Sequence, residues 1–224
     1  MTTTEPAVRQ PTRQVMMNWR TPVYSKDHPD ADEHNKILRE LILAAEKEDD
    51  AAANFGGIDA IKSSEDILLW DHPSIDWVKS LIMEAVNELT IAVLGDAAKE
   101  VTPKILAEGW AVVYRSGGSL RPHSHHDCNW SGVYYVDNPT PVGAEGDAGY
   151  LQLLDPRPSA VSRQASPGPV RFEPVPGRIV AFPGWLTHQV RSTATGSGLR
   201  ICIAWNVAYD KAFTRVGTPA GGTL

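Results

Sequence analysis

Cysteine is scarce: Cys128 and Cys202 are the whole supply in 224 residues. Two thiols make no disulfide framework, so the fold must rest on an ordinary hydrophobic core, and both thiols are expected to be free in a reducing compartment. No apolar run approaches the roughly 20 residues that a membrane helix needs, and the Thr-, Pro-, Arg- and Gln-rich opening lacks the apolar centre of a secretory signal. A cytoplasmic protein is the expectation. Runs of lysine and arginine are missing too, and 21 basic against 27 acidic residues leave a net charge of -6. Such a surface attracts neither a nucleic-acid backbone nor an anionic membrane. No internal repeat or second domain boundary stands out, and the length suits one sizeable core. The oligomeric state stays open, a homodimer included.

What is present falls into two textures. Residues 1–14 read as a disordered segment, residues 15–210 as one domain, and residues 211–224, with Gly-Thr-Pro-Ala-Gly-Gly-Thr, as a flexible tail. Within the domain, 30–95 reads as helical support and 105–208 as a β barrel. A short strand is expected over 15–24. Ile37, Leu38, Leu41, Ile42 and Ala45 recur at helical spacing and predict a helix from Asp30 to about Glu48. Asn54 to Gly57 reads as a break, with the glycine pair a candidate lid hinge. Ser74 suits the N-cap of a second helix lined by Trp77, Val78, Leu81, Ile82, Ala85, Leu89 and Val93 and closed by Gly95. From Trp110 onward, short apolar runs divided by Gly and Pro predict strands near 110–115, 130–137, 149–154, 170–173, 178–182, 187–191 and 199–208. The segments 137–148 and 156–169 read as long loops, the second a candidate substrate loop.

The densest chemistry lies in Arg121-Pro122-His123-Ser124-His125-His126-Asp127, which runs into the strand-like Trp130 to Val136. If the strand began there, side-chain alternation would put His123, His125 and Asp127 on one face and His126 on the other. Two imidazoles and a carboxylate on one face of a metal, with the remaining positions open, form the arrangement of non-haem iron(II) oxygenases. His125 and Asp127 would supply two ligands and His188, after Phe182-Pro183, the third. Arg200 opens the strand Leu199 to Asn206, where an inward guanidinium could grip a carboxylate through two parallel hydrogen bonds.

The set His123-Ser124-His125, Ser131-Gly132-Val133-Tyr134-Tyr135, Pro174 to Gly177, Phe182-Pro183, His188, Arg200 and Trp205-Asn206 resembles the iron(II)- and 2-oxoglutarate-dependent oxygenases. It is most similar to a bacterial and phage group with the pattern His-x-His followed after five residues by Ser-Gly-Val-Tyr-Tyr. The resemblance covers about 105–207 and implies a mainly β fold with flanking helices, a double-stranded β-helix (jelly-roll, cupin-like) barrel braced by the N-terminal helices. It implies iron(II), 2-oxoglutarate as cosubstrate and O2, with the distal carboxylate of 2-oxoglutarate on Arg200 and Tyr135 or Tyr114 beside it. Relatives keep both His123 and His125 more regularly than Asp127, so His123 stands as the alternative ligand.

The implied activity is a dioxygenase that hydroxylates an amino acid, peptide or related small metabolite and releases succinate and CO2. Arg121, Arg157, Asn206 and His123 are the candidates for substrate contact. A cupin-like metalloenzyme without 2-oxoglutarate and a zinc-stabilised, non-catalytic barrel with His123 as fourth ligand are the rival readings. The fold hosts many chemistries, so the substrate itself is not legible.

Overall fold

The computed structural model describes residues 20–48, 57–64, 66–102, 104–140, 146–157, 168–196, 198–210 and 214–215. The expected disordered segment 1–14, most of the strand drawn over 15–24 and most of the tail lie outside these residues. In chain order the elements are β1 (Tyr24–Asp27), α1 (Asp32–Glu48), β2 (Gly57–Lys62), α2 (Pro73–Leu94), β3 (Val101–Thr102), β4 (Ile105–His123), β5 (Trp130–Asp137), β6 (Leu151–Leu153), β7 (Val170–Phe172), β8 (Arg178–Pro183), β9 (His188–Val190), β10 (Arg200–Tyr209) and β11 (Thr214–Arg215). Both helices fall where the apolar spacing put them. Among the described residues, no helix is long and apolar enough to cross a membrane.

One sheet runs β1-β8-β5-β10-β4-β9-β6-β7, with β2 also paired to β4 and every strand pair antiparallel. It curls into the mainly β half-barrel expected of a double-stranded β-helix. Strand β4 makes this possible. Its first half pairs with β10 from Ile105↔Tyr209 to Tyr114↔Arg200, and its far end pairs with β9 at His123↔His188. A single 19-residue strand thus joins both leaves of the curl. Gly117 lies inside it at φ 79° and lets the chain bend where an ordinary residue would be strained.

Alternation along the strands sorts the apolar residues into two cores. Ala111, Val113, Tyr134, Ile179, Ile201, Ile203 and Trp205 face outward and pack with Leu38 and Ile42 of α1 and Ile75, Val78, Ile82 and Leu89 of α2. Their neighbours in sequence, Trp110, Val112, Tyr114, Val133, Tyr135, Val180, Phe182 and Cys202, face inward. Asn35 replaces the expected Ile37 on the buried face of α1, because the Tyr134 hydroxyl donates to its Oδ1 at 2.6 Å, while Ile37 is exposed. The N-cap of α2 is His72 rather than Ser74: its Nδ1 accepts from the Ser74 amide at 3.0 Å, and Pro73 occupies the first turn.

Candidate active site

The inward face of the curl lines one cavity of about 780 Å³. Its floor is a ladder of paired rungs from β4 and β10: Tyr114 and Arg200 at one end, then Val112 and Cys202, Trp110 and Ala204, and Glu108 and Asn206. Three histidines stand over it.

His123 ends β4 and His188 begins β9. They are register partners with ring centroids 4.2 Å apart. His125 follows in the turn after β4, its ring 5.2 Å from His123 and 5.3 Å from His188. That turn is pinned to the β8–β9 turn: the His125 amide donates to the Gly184 carbonyl at 2.8 Å, and the Gly184 amide donates to the Asn129 carbonyl at 3.0 Å. One nitrogen from each of the three rings lies within 4.8 Å of the others. Nδ1 of His123 sits 2.8 Å from the Arg121 carbonyl, and Nδ1 of His188 sits 2.9 Å from the Leu186 carbonyl. A carbonyl can only accept, so both rings carry their proton on Nδ1 and keep the Nε2 lone pair for a metal.

Electrostatics favour the same state. Burial, with His123 and then His125 nearby, pushes His188 down to about 3. Burial also lowers His123, against the opposing pull of the Arg121 carbonyl. Neutral imidazoles are the form that binds metal.

Asp127 does not join the group. The alternation that placed it beside His125 requires a strand through 123–127, but β4 ends at His123 and the chain turns from 124 to 129. Asp127 is exposed at the rim of the cavity, and the three-residue group contains His123 in its place. His126 is also exposed, 3.3 Å from the Ser124 hydroxyl.

Arg200 is 1% exposed at the inner end of the ladder. Its guanidinium carbon lies 4.4 Å from the Tyr114 ring centroid and 5.2 Å from that of Tyr135. Its Nη1 reaches Cys202 Sγ at 3.7 Å, and its Nε has no hydrogen-bond partner. A buried cation held by two aromatic faces and a thiol calls for an anion. The Tyr135 hydroxyl beside it is buried without a partner as well, and burial pushes that phenol up to about 12. Burial raises Tyr114 too. Both hydroxyls therefore stay protonated and can donate to a carboxylate.

Of the other candidates, Arg121 lines the cavity mouth and Asn206 lines its floor. Arg157 is exposed and tied to Asp155, with Nη2 to Oδ2 at 2.6 Å, and does not line the cavity. Most of the proposed substrate loop, 158–167, lies outside the described residues. Sequence reasoning passed over Trp110, Lys62, whose Nζ lies 4.1 Å above the Trp110 ring, and Glu108. Counting back from Tyr114 by twos along β4 would have found Trp110 and Glu108.

Residues 108–206 match the model of the family described as "Putative 2OG-Fe(II) oxygenase". No curated protein matches the chain. Among solved structures, the chain is similar to a prolyl-4-hydroxylase of Pseudomonas putida at TM-score 0.53 and 16% identity, covering 87% of this chain and 93% of that one. A prolyl hydroxylase of Trichoplax adhaerens, in complex with a peptide fragment of the hypoxia inducible factor oxygen degradation domain, gives TM-score 0.54 at 14% identity over 84% and 82% of the two chains. HygX of Streptomyces hygroscopicus with nickel, 2-oxoglutarate and hygromycin B bound gives TM-score 0.54 at 10% identity over 84% and 83%.

Proposed function

We propose that this chain, whose residues 108–206 match the 2OG-Fe(II) oxygenase family model, is an iron(II)- and 2-oxoglutarate-dependent dioxygenase hydroxylating an amino acid, a peptide or a related small metabolite. The observation that carries the reading is the buried, anion-demanding Arg200 at the inner end of the same cavity that holds His123, His125 and His188. Metal ligands and a carboxylate anchor on one floor are what a metal-chelated dicarboxylate needs.

In this reading His123, His125 and His188 hold iron(II), Arg200 grips the distal carboxylate of 2-oxoglutarate, and Tyr114 and Tyr135 flank it. When bound, the metal and cosubstrate supply oxidative decarboxylation coupled to transfer of an oxygen atom to substrate. The protein's own part is placement. Arg200 fixes the cosubstrate through charge-assisted hydrogen bonds. The apolar walls, Val112, Phe182, Leu151 and Val190 among them, keep water from the inner end. The remaining volume toward Trp110, Leu106 and the rim receives substrate. Small-molecule and peptide substrates both fit a cavity of this size, and the solved relatives include one with a peptide and one with hygromycin B. A closed zinc site would need a fourth ligand, and among the described residues the group has three. We place the protein in the cytoplasm, in keeping with two cysteines that are both free.

The test is succinate formation from 2-oxoglutarate in air, with and without iron(II). The expected result is turnover that needs both and disappears in Arg200→Leu. Turnover that persists at the parent rate in Arg200→Leu contradicts the assignment.

A further inference from the structure

His125 differs from the other two histidines in what holds its ring. His123 and His188 turn Nδ1 to a backbone carbonyl, whereas His125 presents Nδ1 to the side-chain amide of Asn206, whose Nδ2 lies 3.3 Å away. That same Nδ2 donates to Glu108 Oε1 at 2.8 Å. Asn206 and Glu108 are register partners on β10 and β4, so their side chains share the cavity floor. Asn206 is 7% exposed, and its Oδ1 is buried without a hydrogen-bond partner. A buried amide oxygen left unpaired is costly and asks for a donor.

We propose that Asn206 is the positioning residue for His125: with its amide turned over, Oδ1 accepts from Nδ1–H and holds the tautomer that offers Nε2 to a metal. The inference rests on the reading of His123, His125 and His188 as ligands. To give Nε2 to a metal, His125 carries its proton on Nδ1 and needs an oxygen there. As it stands, the amide turns Nδ2 to both His125 Nδ1 and Glu108 Oε1, which suits a ring whose Nδ1 is unprotonated. Rotation of the amide brings its unused Oδ1 to Nδ1 and gives up the bond to Glu108, an exposed side chain that can turn to solvent. Asn206 is a positioning residue, acting through His125.

Cobalt(II) affinity, measured by chelator competition on the full chain, tests the role of Asn206, with thermal melting of the metal-free protein alongside. Asn206→Leu is expected to bind cobalt roughly 10–100-fold more weakly, with metal-free melting at or above the parent's because an unpaired buried oxygen is gone. Asn206→Asp, whose carboxylate can accept from Nδ1, should stay within about threefold of the parent, far short of the loss of an orienting partner. Parent-like affinity in Asn206→Leu overturns the proposal. So does equal loss in both Asn206 variants together with lowered metal-free melting, which marks Asn206 as a structural brace. A parent that binds no cobalt, or a His123→Ala variant that binds as the parent does, overturns the ligand assignment and the role of Asn206 with it.

Discussion

His123 and His188 face each other as register partners across β4 and β9, ring centroids 4.2 Å apart, and Asp127 lies past the end of the strand that carries His123. His123→Ala should therefore lose iron(II) by more than the roughly 10–100-fold that loss of a ligand's outer partner costs. Asp127→Ala should keep it. Anaerobic iron titration of the two variants decides, and the reverse pattern would restore the carboxylate as ligand.

Among the described residues, the buried Arg200 has no carboxylate partner. Replacing it by Met should weaken 2-oxoglutarate binding at least about tenfold, the equivalent of one charge-assisted hydrogen bond or more. The same change should leave the free protein as stable as the parent or more so, since an uncompensated buried cation is removed. Urea unfolding with and without 2-oxoglutarate reads both effects. A variant that is destabilised yet binds 2-oxoglutarate normally would make Arg200 a packing residue.

Two glycines separate fold from site. A Cβ on Gly132 would run into the Trp205 ring, in the core between sheet and helices, and lie 2.5 Å from the Val180 carbonyl oxygen. Gly132→Ala should cost about 1–3 kcal/mol or more through overpacking. A Cβ on Gly184 would run into Cys128 Sγ and lie 2.7 Å from the Cys128 carbonyl oxygen and 2.9 Å from that of His125. Gly184→Ala should shift the turn that carries His125, weakening metal binding more than it lowers the metal-free melting temperature. Melting and metal affinity of both variants are the measurements, and equal metal affinity in Gly184→Ala and the parent would separate that turn from the site.

The histidines also set a pH dependence. His188 titrates at about 3 in the metal-free protein against an ordinary 6.5, chiefly through burial, and His123 is lowered as well. Between those values the unfolded chain binds protons that the native site refuses. Stability should be fullest above about pH 6.5 and fall on acidification toward pH 3 by up to about 1.4 kcal/mol per pH unit for His188 alone. Denaturant midpoints across that range should show the slope, and His188→Asn should flatten it. A parent-like slope in His188→Asn would assign the acid sensitivity to other groups.

The sheet was legible where apolar residues alternate on a real strand. Arg200, Tyr114 and Tyr135 were read from β4, β5 and β10, and the structure brings the three together. Asp127 was misplaced because nothing in His-Ser-His-His-Asp-Cys signals where the strand stops. The stop comes from a long-range tether, His125 and Asn129 to Gly184, that no local pattern encodes. Strand β2, Gly57-Ile58-Asp59-Ala60-Ile61-Lys62, was invisible for a related reason. Gly and Asp are poor strand formers, and the segment is extended because β4 offers it a pairing edge. The strand expected near 110–115 is the middle of β4, which runs on through a bend at Gly117 to His123.

The most direct test of the central claim is an anaerobic difference spectrum on adding 2-oxoglutarate to the iron(II)-loaded protein. The account predicts a visible iron(II)-to-cosubstrate charge-transfer band in the parent and in Asp127→Ala, absent in His188→Ala and His123→Ala and requiring far more 2-oxoglutarate in Arg200→Leu. No band in an iron-loaded parent, or an undiminished band in His123→Ala, would contradict it.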